Sequence, residues 1–155
     1  MTQTAARQQE LTLTRTFDAP RHLVFRAWTD PTQLARWWGP KDWTIPTCEI
    51  DARPGGRLRI VMHGPDPWGD NPMEGEFREV VEPQRLVFSS TAIPDANGRP
   101  QLETLNTITF DDLDGRTRVT AHIVVVRSTP EVAGALAGME AGWNQQLDKL
   151  AALLA

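Results

Sequence analysis

The side chains in this chain that could perform chemistry are few and dispersed. His22, His63, His122 and Cys48 are its imidazole and thiol groups, and they are scattered along the chain. A metal site needs three or four N, O or S donors that converge, with close spacing such as His-x-x-x-His on a helix. No such spacing occurs, so no metal is expected. Ser89-Ser90 lies in the middle of an extended run with no base at a recognisable distance, and there is no Gly-x-Ser-x-Gly elbow. Gly55-Gly56 belongs to a tight turn and lacks the lysine and helix start of a phosphate loop. No catalytic residue and no cofactor are assigned on these grounds.

One carboxylate stands apart. Glu140 flanks the apolar stripe of the last helix, one turn before Trp143. At the edge of an apolar cavity its pKa would rise, and it could bind a ligand or act as acid and base. At a solvated rim it would reach water or pair with an arginine from the sheet. The tryptophans are the second signal: there are six, with no Tyr, and four of them fall between Trp28 and Trp43. Trp37-Trp38-Gly39-Pro40 is placed at a cavity mouth, where one indole could stack on a planar ligand while the other plugs the end of a sheet. Met62, Met73, Phe77, Phe88, Met139 and Trp143 complete the candidate set. Met repacks around irregular ligands, so these six either line a pocket or fill a core.

The elements that must position these residues follow from periodicity. Glu10–Phe17 alternates Leu11, Leu13, Arg15 and Phe17 against threonines, which reads as a strand. Asp18-Ala19-Pro20 is expected to cap a helix carrying Leu23, Val24, Ala27 and Trp28 on one side, ended by Asp30-Pro31. A second short helix spans 32–38, closed by Gly39-Pro40. From 43 to 127 the pattern is strands and turns: 43–52, 57–64, 73–83, 85–93, 102–110 and 117–127. Residues 65–72, rich in proline, are expected to form an irregular loop, and Asn97-Gly98 and Asp114-Gly115 mark turns. From Pro130 one amphipathic helix is expected to run to the C-terminus, with Val132, Leu136, Met139, Trp143, Leu147, Leu150 and Leu154 as its apolar stripe. Gly134, Gly138 and Gly142 lie nearly opposite that stripe. Each costs roughly 1 kcal/mol relative to Ala, so the three make either a face for a partner helix, a softened helix, or tolerated drift.

Several segments in order resemble the activator of ninety-kilodalton heat-shock protein ATPase homologue-like family. They include Thr16-Phe17-Asp18-Ala19-Pro20, Ala27-Trp28-Thr29-Asp30-Pro31, Trp37-Trp38-Gly39-Pro40, Arg53-Pro54-Gly55-Gly56-Arg57, Met62-His63-Gly64-Pro65-Asp66, Met73-Glu74-Gly75-Glu76-Phe77 and Gly142-Trp143. The likeness runs from Leu11 to the C-terminus. It implies the helix-grip fold of the START and birch-pollen-allergen-like (SRPBCC) superfamily, whose members use a cavity between sheet and C-terminal helix for lipids, hormones, polyketides or other apolar molecules. The fold class is thus α+β: a curved antiparallel sheet of about seven strands, two short helices and one long C-terminal helix enclosing a cavity. The eukaryotic activators carry a further N-terminal domain that engages the chaperone, and fold alone does not carry function across.

Bulk properties bound the rest. A chain of 155 residues suits one domain, 1–155, with 1–9 expected to be disordered. A net charge of −4 gives no electrostatic reason for nucleic acid or an anionic membrane as partner. A polar N-terminus without an apolar stretch, one cysteine and no long apolar run point to the cytoplasm. The leading expectation is a domain that binds a small, mainly apolar molecule, with Glu140, Ser90 or Asn106 orienting it. The alternatives are a cyclase- or hydrolase-type enzyme using Glu140 or His63 as acid and base, and a co-chaperone-like interaction module using the glycine face. A homodimer is compatible with all three.

Overall fold

The computed structural model describes residues 9–155. Residues 1–8, most of the expected disordered lead-in, lie outside the described part. Gln9 is already tied down, its carbonyl accepting from Val125 N–H at 2.8 Å. Strand β1, Glu10–Phe17, follows the alternation of its sequence and pairs antiparallel with the last strand. Helices α1, Arg21–Thr29, and α2, Pro31–Trp37, come next. Asp18 does not cap α1. The N-cap is Pro20 in extended conformation, without a side-chain bond. Asp30 is the working cap, its carboxylate accepting from Thr32 N–H at 2.9 Å to start α2. The buried face of α1 is also rotated from the expected one: Phe25 is inside and Leu23 is 43% exposed. The reason is tertiary, since Phe25 meets Phe110 of the sheet edge-on at 5.2 Å.

Six strands then form a meander: β2 Thr44–Ile50, β3 Arg57–Gly64, β4 Gly69–Val81, β5 Arg85–Pro94, β6 Pro100–Asp112 and β7 Thr117–Ser128. The sheet order is β1-β7-β6-β5-β4-β3-β2, every neighbour antiparallel, so β1 and β2 are its edges. Register shifts between Phe77 and Glu79 and between Glu103 and Thr104 mark bulges, which bend strands and help curl the sheet. The expected loop 65–72 is a correction. Only a short turn survives, because β4 begins at Gly69 and Pro72 stands opposite Val61. Pairing of β4 with β5 begins only at Met73, so the missing N–H of Pro72 lies where β4 has one neighbour.

The single C-terminal helix is a second correction. A 3₁₀ turn at Pro130–Val132 leads into α3, Ala133–Ala137, and α4, Met139–Leu154, with the break at Gly138 (φ −92°, ψ 0°). A backbone angle in that bridge region leaves the helix locally. The hydrogen bonds Gly138 N–H to Gly134 O and Gly142 N–H to Gly138 O persist across the break. Leu147 and Leu150 of α4 seat on the sheet, nearly free of solvent contact. Arg15 on the inner face of β1 reaches Asp148 at 2.8 Å, fastening the edge strand to α4. A curved seven-stranded antiparallel sheet gripping a long C-terminal helix is the helix-grip fold.

Candidate functional site

Inside the grip the core divides in two. One end is dry and aromatic: Trp28 meets Trp37 edge-on at 4.7 Å and stacks on Trp143 at 6.3 Å. The other end is open, a cavity of about 450 Å³ between the sheet, the Trp38–Pro40 segment, α3 and the start of α4. That volume falls within the roughly 300–1,000 Å³ typical of small-molecule sites.

Each wall follows from a sequence feature. Alternation on β3, β4 and β5 turns Met62, Met73 and Phe88 inward. Gly39, with φ +87°, ends α2 and turns the chain so that Trp38 faces the cavity. Gly64 shapes the mouth: a Cβ there would lie 2.6 Å from the Trp43 ring, so only glycine lets that indole rest on β3. Trp43 sits 6.5 Å from Trp68, which is 66% exposed on the β3–β4 turn. Ile93 adds a wall residue with φ +57°, a left-handed conformation that β-branched residues rarely adopt. Side chains of α4 hold the Trp38–Lys41 segment from behind. Gln146 Oε1 accepts from Gly39 N–H at 2.9 Å and Gln145 Oε1 from Lys41 N–H at 3.0 Å, while Lys149 Nζ donates to Trp38 O at 3.1 Å.

The polar groups in the lining are uncharged. Asn106 of β6, 2% exposed, donates from Nδ2 to Phe88 O at 3.1 Å, which fixes its amide orientation because the carbonyl can only accept. Ser90 and Thr104 hydroxyls share a 2.6 Å bond beside it, and Thr104 Oγ1 donates to Asn106 Oδ1 at 3.3 Å. Buried polar groups persist when bonded to one another in this way. No Asp, Glu, Lys, Arg or His is among the described lining residues.

Six candidates from the sequence, Trp38, Met62, Met73, Phe88, Met139 and Trp143, come together around the cavity, as do Ser90 and Asn106. Three do not. Trp37 is fully buried outside the lining, its indole donating to Ala27 O at 2.9 Å. Phe77 lines a separate void of about 20 Å³ beneath the cavity. Glu140 is exposed and away from the lining, where only its backbone carbonyl is engaged, by Asn144. His63 is also outside, paired with Asp70 at 2.7 Å and half exposed. The glycine face is a partial correction: Gly138 and Gly142 line the cavity, and a Cβ on Gly142 would lie 3.8 Å from Pro40. Sequence reasoning missed Trp43, Trp68, Thr104 and Gln146. For Thr104 a signal existed, since it shares its inward parity with Asn106, Ile108 and Phe110. For Trp68, only the hairpin pairing brings it to the mouth.

Two titratable groups outside the lining are perturbed. Burial, with Asp30 adding to it, pushes the Cys48 thiol up to about 11. Burial also lowers Lys149, opposed by Asp42. Among the described residues no group of His, Cys, Asp or Glu could hold a metal ion, and no helix is long and apolar enough to cross a membrane.

Comparison with known proteins agrees with this architecture. The family model described as Activator of Hsp90 ATPase homolog 1-like protein matches residues 18–155. A crystal structure of a protein from Nitrosomonas europaea is similar at 32% identity and TM-score 0.73, over 94% of this chain and 93% of that one. One from Mycobacterium smegmatis is similar at 29% identity and TM-score 0.78, covering 94% and 90%. An AHSA1 protein from Silicibacter pomeroyi is similar at 26% and 0.76, covering 94% and 97%. No curated protein matches the chain.

Proposed function

The chain belongs to the Activator of Hsp90 ATPase homolog 1-like family, and from that premise we propose that it binds a small, mainly apolar molecule in the cavity between sheet and C-terminal helix. The observation that carries this reading is the cavity itself, about 450 Å³ and walled by Trp38, Met62, Met73, Phe88, Met139 and Trp143. A chain filling its interior solely for stability would close such a space, since voids in cores are costly. Affinity would come from apolar area, at about 25 cal/mol per Å² removed from water, and orientation from Ser90 and Asn106. Neither Glu140 nor His63 faces the cavity, so acid–base catalysis through them has no geometric support. Cys48, free and half-buried, suits a reducing compartment such as the cytoplasm.

Native mass spectrometry on protein freshly drawn from a cell extract tests the reading. A discrete excess mass, lost on denaturation, is expected for the wild type and absent from Ala92→Phe, which fills the cavity from β5. The same spectrum reports any homodimer. A clean apo mass, together with no calorimetric heat on titration with neutral aromatic compounds, would remove the binding reading.

A further inference from the structure

We infer that the cavity selects an uncharged, flat aromatic molecule carrying a carbonyl-class oxygen, and that Gln146 is the residue that recognises this oxygen. The inference rests on the binding reading above and adds the chemical class of the occupant.

The argument begins with an amide whose orientation is settled. Gln146 is 5% exposed, and its Oε1 accepts from Gly39 N–H at 2.9 Å. A backbone N–H can only donate, so the oxygen must face Gly39 and the NH₂ group must face away. That Nε2 meets no acceptor among the described residues, yet it is not sealed from open space, and Gln146 lines the cavity. No group of the described protein accepts from this donor, and the cavity space beside it is where a ligand acceptor would sit. The other polar cluster cannot play this part. The donors of Ser90, Thr104 and Asn106 are satisfied among themselves and by Phe88 O, so that cluster offers lone pairs only.

Charge and shape narrow the class further. No ionisable side chain lines the cavity, and Lys149, which holds the Trp38–Pro40 segment, directs two of its three N–H groups to Trp38 O and Pro40 O. An ionised ligand would lose its hydration without a counter-charge, which is heavily penalised. The indoles of Trp38, Trp43, Trp68 and Trp143 line the cavity, and aromatic walls favour a planar aromatic partner.

Three probes of one shape separate these terms by isothermal titration calorimetry: 2-acetylnaphthalene, 2-ethylnaphthalene and 2-naphthoate at neutral pH. The ketone should bind several-fold to about tenfold more tightly than the hydrocarbon, the worth of one hydrogen bond, and the carboxylate at least about tenfold more weakly than the ketone. Gln146→Met, which keeps volume but removes the donor, should bring ketone and hydrocarbon to equal affinity. Gln146→Glu, which keeps the acceptor for Gly39 N–H, should do the same. Equal binding of ketone and hydrocarbon by the wild type, undiminished binding of the carboxylate, or a ketone preference that survives both substitutions would each overturn the assignment. The wild-type comparison stands even where a variant does not fold. Binding of all three probes alike would sink the selectivity and spare the cavity as a site, whereas binding of none would sink both.

Discussion

Cys48 is held protonated by its surroundings, and two consequences can be measured. At pH 8 a thiol with a pKa of about 11 is roughly a hundredfold less ionised than one at the ordinary 9.0, and the thiolate is the reactive form. Alkylation of folded protein should therefore be about a hundredfold slower than of denatured chain, timed by mass shift. The second consequence concerns stability. The folded state keeps this proton up to about pH 11 while the unfolded chain releases it near 9.0, so the contribution is complete below pH 9 and disappears as pH rises through 11. Denaturant titrations should show wild type losing ground to Cys48→Ala over that window, with the opposing effect of Lys149 cancelling because both proteins carry it. At Gly64 the prediction is steric. A Cβ would meet the Trp43 ring at 2.6 Å, so Gly64→Ala should cost about 1–3 kcal/mol in calorimetric unfolding and push Trp43 from the mouth. Residue types were legible at this scale and contacts were not: Gly64 reads as an ordinary strand end until the indole is seen lying on it.

Among the elements, the strands were legible because alternation survives folding wherever one face is buried, as in Arg57–Gly64, which was placed at its observed bounds. Errors came where a neighbour decided the outcome. Pro72 looked like a strand breaker, yet β4 has one partner there and needs no N–H on the other side. Leu23 and Phe25 are near-equivalent by periodicity, and only Phe110 chooses between them. The break at Gly138 escaped because an apolar stripe reports which face is buried and is silent on whether the helix runs unbroken. Gly138 has negative φ and its nearest Cβ contact would be at 3.7 Å, so alanine fits without strain. Gly138→Ala should raise stability by about 0.4–1 kcal/mol through lower unfolded-state entropy, seen as a higher thermal midpoint.

For the molecule as a whole, the cavity is the property least visible in sequence. The same Met and Phe side chains fill a core or line a pocket according to sheet curvature, and that curvature depends on bulges such as the one between Glu103 and Thr104. The dry end and the open end should respond differently to truncation. Leu150, with no solvent exposure in the packed half, should lose about 2–5 kcal/mol as Leu150→Ala. Met139, half-buried at the cavity wall, should lose less as Met139→Ala, because part of its surface already faces open space. Chemical denaturation of the two variants side by side checks this.

The tryptophans have a further consequence. Four of the six surround the cavity, Trp68 among them at the solvent edge, and the chain contains no Tyr to add its own light. Near-ultraviolet emission from this protein therefore comes from indoles alone, most of them within touching distance of any occupant. Filling the cavity should dim that emission and shift it toward the blue as water leaves the rings, so the molecule reports its own loading without a label.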